Sequence, residues 1–139
     1  MTVASGRIEL NTRGNGDIVD ITDDVTREVE RFGLTDGVVT LFTPSSTSAL
    51  TTIEYESGVV SDLQQFFDRT MPPDIEYVHH LRWGDGNGHS HVRHALLGPS
   101  LAIPIQGGRM TLGTWQQIVF IDFDSRPRVR SVVVQVVGE

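Results

Sequence analysis

All five histidines of the chain lie between His79 and His94, in the run HHLRWGDGNGHSHVRHALLGPS. Imidazole is a common transition-metal ligand and the usual acid–base group near neutral pH. The cluster therefore either lines one site or decorates one loop. His89 and His91 share a face if the chain is extended, whereas a helix starting at His89 pairs His91 with His94 instead. Both pairings cannot hold together, so only a subset can act as ligands. Asp85 and Asn87 can add oxygen ligands or orient an imidazole from behind. Gly84, Gly86 and Gly88 alternate ahead of a helix start, where exposed amides can cradle an anion. The spacing matches neither H-E-x-x-H nor a complete calcium-binding loop.

Two further polar groups stand out. Ser45, Ser46, Thr47 and Ser48 place consecutive hydroxyls between two apolar stretches. Such a run suits phosphate oxygens, and equally an ordinary Ser/Thr turn. Glu54 in TTIEYE faces solvent or lies buried against a cation. In LGTWQQI an alternating strand is interrupted at Gly113–Gln116. That pattern reads as a bulge around a packed indole, or as Thr114 and Gln116 at the mouth of a pocket.

These groups need elements to hold them. The periodicity predicts a strand from Ser5 to Asn11, then a helix carrying Ile18, Ile21, Val25, Val29 and Phe32, with Thr22 as N-cap. GVVTLFTP and LTTIEYE read as strands, and Gly58–Arg69 as a helix. Glu76–His80 reads as extended, and His89–Leu97 as a short helix. The last third reads as an antiparallel meander of strands. Arg126, Arg128 and Arg130, spaced by two, read as the solvated face of an edge strand. The layout is α+β, with helices against a sheet-rich core, and 139 residues suit one domain spanning 1–139.

Composition narrows the partners. Eighteen acids against eleven bases give a net charge of −7, which disfavours nucleic acid. Attraction for an anionic ligand would have to come from a metal or from local arginines such as Arg82, Arg93 and Arg109. There is no cysteine, hence no disulfide and no thiolate ligand. No apolar run is long enough to span a bilayer and no signal peptide is apparent. A cytoplasmic protein without membrane contact is the expectation.

Taken together, STSALTTIEYE, GDGNGHSHVRHALLGPS, GGRMTLGTWQQIVFIDFD and RSVVVQVVGE resemble the YjbQ-like family from about residue 5 onward. The family is often labelled secondary thiamine-phosphate synthase. The resemblance implies a layered, mostly antiparallel β-sandwich core with helices packed against it, assembled as a homotrimer. It also implies a metal- or anion-holding pocket near subunit interfaces. Carried over by position, His79 matches the histidine of Y-x-H and His91 the histidine before LLGPS. Glu54 matches the strand glutamate, and Asp85 falls where many members carry a loop acid. Gly113–Gln116 fall on the GTWQ signature. Many members have histidine where this chain has Ser45, and His89 could substitute for it. His80 and His94 match no family role.

The activity so implied joins an aminopyrimidine pyrophosphate to a thiazole phosphate and expels pyrophosphate. In that reading His79, His89 and His91 supply ligands for a divalent metal, Mg or Zn, and Glu54, Asp85 and His91 are the catalytic groups. Ser45, Ser46, Thr47, Thr114 and Gln116 hold phosphate on the small phosphorylated substrate. The alternative is a trimeric protein that binds a metal or phosphometabolite without turnover.

Overall fold

A computed structural model describes residues 1–139. The chain forms β1 (Thr2–Thr12), β2 (Asp17–Asp20), α1 (Thr22–Phe32), β3 (Gly37–Phe42), β4 (Ser48–Ile53) and α2 (Ser57–Thr70). These are followed by α3 (Val78–Trp83), α4 (Gly88–Leu97), β5 (Ser100–Gln106), β6 (Arg109–Met110), β7 (Gln117–Asp122) and β8 (Arg128–Gly138). Five strands in the order β1-β8-β3-β5-β6 make one sheet, and β2-β7-β4 make a second. Every strand pair is antiparallel. The expected α+β layered β-sandwich with packed helices is what forms.

Alternation along the strands builds the layers. Val132, Val134 and Val136 of β8, Val39 and Leu41 of β3, and Ile103 and Ile105 of β5 point inward from the large sheet. They meet Leu50, Ile118 and Phe120 of the small sheet and Val25 and Val29 of α1. The opposite residues of the small sheet, Ile18, Ala49, Val119 and Ile121, pack with Phe67 of α2 and with Phe123. The small sheet is thus buried on both faces, which explains the continuous apolar run of β7. Burial of each such side chain contributes roughly 1.5–3 kcal/mol.

Five expectations change. The helix expected to include Ile18 begins only at Thr22, because Asp17–Asp20 pairs with β7 as a strand. Asp20 does the capping expected of Thr22: its carboxylate accepts from the Thr22 amide and hydroxyl. The Thr22 hydroxyl in turn accepts from the Ile118 amide and fastens α1 to β7. Glu76–His80 is not extended, since Val78–Trp83 winds into α3 and ends at Gly84 in a left-handed conformation, φ 64°. The final strands do not form a simple meander: β7 leaves for the small sheet and β8 returns between β1 and β3. The arginine-bearing start of β8 pairs with β1 alone, but its expected solvated face is not what forms: Arg130 turns inward, 12% exposed, onto Asp122.

Candidate functional site

The last two helices form a tight corner whose closest approach is set by a glycine. A Cβ on Gly88 would lie 2.5 Å from the Tyr77 Cβ, so only glycine lets α4 start against the residue that opens α3. The Tyr77 hydroxyl donates to the Pro72 carbonyl at 2.7 Å, and the His80 Nε2 accepts the Gly88 amide at 3.2 Å. This corner brings His79 of α3 onto His91 of α4, with ring centroids 4.5 Å apart. Asp85 lies behind His79, its Oδ1 3.4 Å from Nδ1 without hydrogen-bond alignment. The same oxygen accepts the Asn87 amide and so holds the intervening loop.

The other three histidines point elsewhere. Because α4 begins at Gly88, His89 and His91 sit roughly 200° apart around the helix. His89 turns inward, 4% exposed, beneath Tyr77, with its Nδ1 unpartnered. It does not join His79 and His91, which corrects its expected place among the metal ligands. His94 donates through Nδ1 to the Ser48 carbonyl at 2.6 Å and ties α4 to β4. His80 and His94 are fasteners of the fold. His91 makes no side-chain hydrogen bond and keeps its nitrogens available, in contrast to both.

Burial lowers the pKa of His89, helped by the charges of Arg93 and His80. Burial also lowers that of His91, with His79 adding to the effect and Asp85 opposing it. Folding then favours the neutral rings, so the unfolded chain binds more protons below about pH 6.5. The metal-free protein is expected to hold its full stability above that pH and to lose it progressively below. Denaturant midpoints at pH 7.5 and 5.5 check this, and the loss should shrink in His89→Phe.

Beside the histidines lies a network that the sequence reading missed. Arg130 spans Asp122 with two bonds, Nε to Oδ2 at 2.8 Å and Nη2 to Oδ1 at 2.9 Å. It also donates to the Ser45 and Thr47 hydroxyls at 3.0 and 2.8 Å. Asp122 is fully buried and accepts from Thr12, while Asp124 accepts from Thr47 and Arg128. Burial raises the Asp124 pKa, but the Thr47 hydroxyl and Arg128 outweigh it and leave the carboxyl below its usual value. The Asp122 carboxylate raises the pKa of Arg130. The hydroxyls expected to hold phosphate are thus engaged within the chain at Ser45 and Thr47, whereas Ser46 is exposed. This network borders the histidine corner: Ser90 donates to the Phe123 carbonyl, and both His91 and His89 sense the charge of Asp124.

The remaining expected residues sit at the other end of the small sheet. Ser48 pairs with Asp122 at one end of β4–β7 and Ile53 with Gln117 at the other, about 17 Å apart for five residue steps. Glu54, Thr114 and Gln116 are exposed at that far end. Gln116 is spent on local bonds, donating to Thr52 and accepting from Gly113. Trp115 is 72% exposed rather than packed in a bulge. One chain thus joins His79, His91 and Asp85 beside Ser45 and Thr47, and leaves Glu54 and the Gly113–Gln116 group apart. Asp122, Asp124 and Arg130 could have been suspected from FIDFD. Two acids alternating within an otherwise apolar strand need cations.

The family model described as UPF0047 protein YjbQ-like matches residues 6–139. A UPF0047 protein of Archaeoglobus fulgidus is 39% identical over 128 residues, covering 92% of this chain and 97% of the relative. One from Methanothermobacter thermautotrophicus is 37% identical over 139 residues, covering 100% and 95%. The crystal structure of a protein of unknown function from Sulfolobus solfataricus superposes with a TM-score of 0.94 at 30% identity, over 99% of both chains. These comparisons overturn the expected activity: the relatives carry the name UPF0047 protein, which specifies no reaction, and the structural neighbour is described as of unknown function. Nothing in them supports thiamine-phosphate synthesis, and that assignment is withdrawn. No helix is long and apolar enough to cross a membrane. Similarity along essentially its whole length places the chain in the YjbQ-like UPF0047 family.

Proposed function

We propose that the His79–His91 pair, with Asp85 behind His79, is a divalent-cation site through which the protein binds a small oxygen-bearing ligand. The observation that carries this is two close imidazoles, neither of them engaged in a hydrogen bond, beside a carboxylate. A carboxylate this close favours a cation at the pair, and a small closure would let it accept the His79 Nδ1 proton and orient the ring. Imidazole donors favour zinc over magnesium, which prefers oxygen ligands and retains water. No group of three or more His, Cys, Asp or Glu side chains converges in one chain. His79 and His91 would hold such a cation by two ligands, fewer than the three of an open zinc site, so a neighbouring subunit, water or the ligand would have to supply the rest. The cation's chemical contribution is polarisation of a ligand oxygen.

Calorimetric titration with Zn²⁺ and Mg²⁺ tests the proposal. Zinc should bind about one ion per chain, more tightly than magnesium, with His79→Ala and His91→Ala each weakening it by at least about tenfold and Asp85→Asn by roughly tenfold. Equal zinc binding by wild type and the doubly substituted His79→Ala/His91→Ala protein removes the site.

The homotrimer implied by the resemblance belongs to the same proposal. It is supported by the outer face of the large sheet, where Phe42, Val133 and Val137 line a groove of about 370 Å³ and Phe42 is 43% exposed. Thr40 and Gln135 complete its lining, and a mixed apolar and polar face of this kind is common at subunit contacts. Light scattering should give three times the 15.4 kDa chain mass, and Val133→Glu should reduce it to one.

A further inference from the structure

Away from the histidine corner, a cavity of about 170 Å³ opens between α2 and the turn preceding β2. Arg93 lines it and is 3% exposed. Its Nε and Nη2 donate to the Met71 carbonyl at 3.1 and 2.8 Å, and Nη2 reaches Asp68 Oδ1 at 3.3 Å. Arg93 donates within the chain through Nε and Nη2 alone, so Nη1 is the donor it has to spare for the cavity it lines. The only acid at the cavity wall is Asp68, whose side chain is 68% exposed and so neutralises the buried cation weakly. The guanidinium carbon lies 5.6 and 5.7 Å from the ring centroids of Phe67 and Phe123, within cation–π range of both.

We infer that this cavity is a binding subsite for a small organic carboxylate, held by Arg93 Nη1 over an apolar floor of Ile18, Phe67 and Ile121. A guanidinium edge is the natural partner of a carboxylate. The Asn15 side-chain amide at the rim makes no bond within the chain and offers a second donor. At about 30 Å³ per water, the volume holds roughly six waters, which corresponds to a short-chain acid. Inorganic phosphate would fit by size, but its further charge would lie against hydrocarbon with no second cation to meet it. The subsite uses none of the histidine-corner residues, and its occupation does not depend on the metal.

Amide and side-chain shifts in ¹H–¹⁵N spectra, titrated with propionate and with inorganic phosphate, test the inference. Propionate should give saturable shifts at Gly16 and Gln64 with a millimolar Kd, and phosphate should not. Asp68→Asn removes the competing carboxylate and should tighten propionate by roughly two- to fivefold. Asn15→Gly should weaken it by removing that donor, and the turn should survive because Asn15 has φ 55°, a conformation glycine adopts freely. Arg93→Met should abolish binding, and if that variant fails to fold, the other two decide. His91→Ala should bind propionate as wild type does, which separates this result from the fate of the metal proposal. Absent saturation, a stronger phosphate response, unchanged affinity in Asp68→Asn and Asn15→Gly, or lost binding in His91→Ala would each overturn the subsite.

Discussion

Replacing Arg130 by methionine is expected to destabilise the protein by roughly 3–5 kcal/mol, more than any other single replacement proposed above. The side chain is 12% exposed and its partner Asp122 is fully buried. Removing the cation leaves a carboxylate with no water and with only Thr12 and the Asp124 amide as donors. For a chain of this size the thermal midpoint should fall by about 10 °C or more. Salt should change the difference little, because a buried pair is poorly screened. Neutralising the partner as well, in Arg130→Met/Asp122→Leu, should recover part of the loss. Recovery is incomplete because Thr12 and the Asp124 amide then lose their acceptor. A loss under about 1 kcal/mol in Arg130→Met would mean that water reaches Asp122, and the network would then be ordinary surface charge.

Gly88→Ala is the second expected large effect, and here two forces oppose one another. Alanine is favoured over glycine by about 1 kcal/mol in a helix interior, and by less at Gly88, the first residue of α4. Against this, the new Cβ would meet the Tyr77 Cβ at 2.5 Å, its Cγ at 2.8 Å and the His79 Cβ at 3.3 Å. Neither Cβ is the yielding end of a flexible chain, so overpacking of roughly 1–3 kcal/mol prevails. The strain is relieved most readily by moving α3, whose outer residues Val78, Leu81 and Trp83 are 82%, 73% and 67% exposed. His79 then withdraws from His91. Zinc affinity should fall about as far as in His79→Ala, at least tenfold, while the sheet amides keep their exchange protection. Unchanged zinc affinity would show that α3 accommodates the methyl group without displacing His79.

What sequence reading captured and what it missed follow from the range of each force. The strands and α2 were legible because alternation and helical periodicity report burial locally. α3 was not, since a helix of six residues presents too few turns for a period to show. Ile18 misled because a buried strand residue happened to fall in helical step with Ile21, Val25 and Val29. His79, His91 and Asp85 were legible as one locus through the family resemblance, whereas the inward turn of His89 is set by which face of α4 packs under Tyr77, a tertiary contact that helical spacing does not report. Arg130 was misread because spacing by two fixes a shared face but says nothing of which strand lies opposite. Its partners arrive through the crossing of β8 back into the large sheet, a pairing of the tertiary fold that no local pattern encodes.

The antiparallel register of β4 with β7 carries one more implication. It puts Glu54 and His91 at opposite extremities of a rigid, doubly buried ribbon, too far apart for a compact molecule to touch both. Energetic consequences of altering the two positions should therefore sum independently within an isolated polypeptide. Any cooperativity between them has to be an intermolecular property, arising where the extremity of one copy abuts the corner of another and vanishing on dilution.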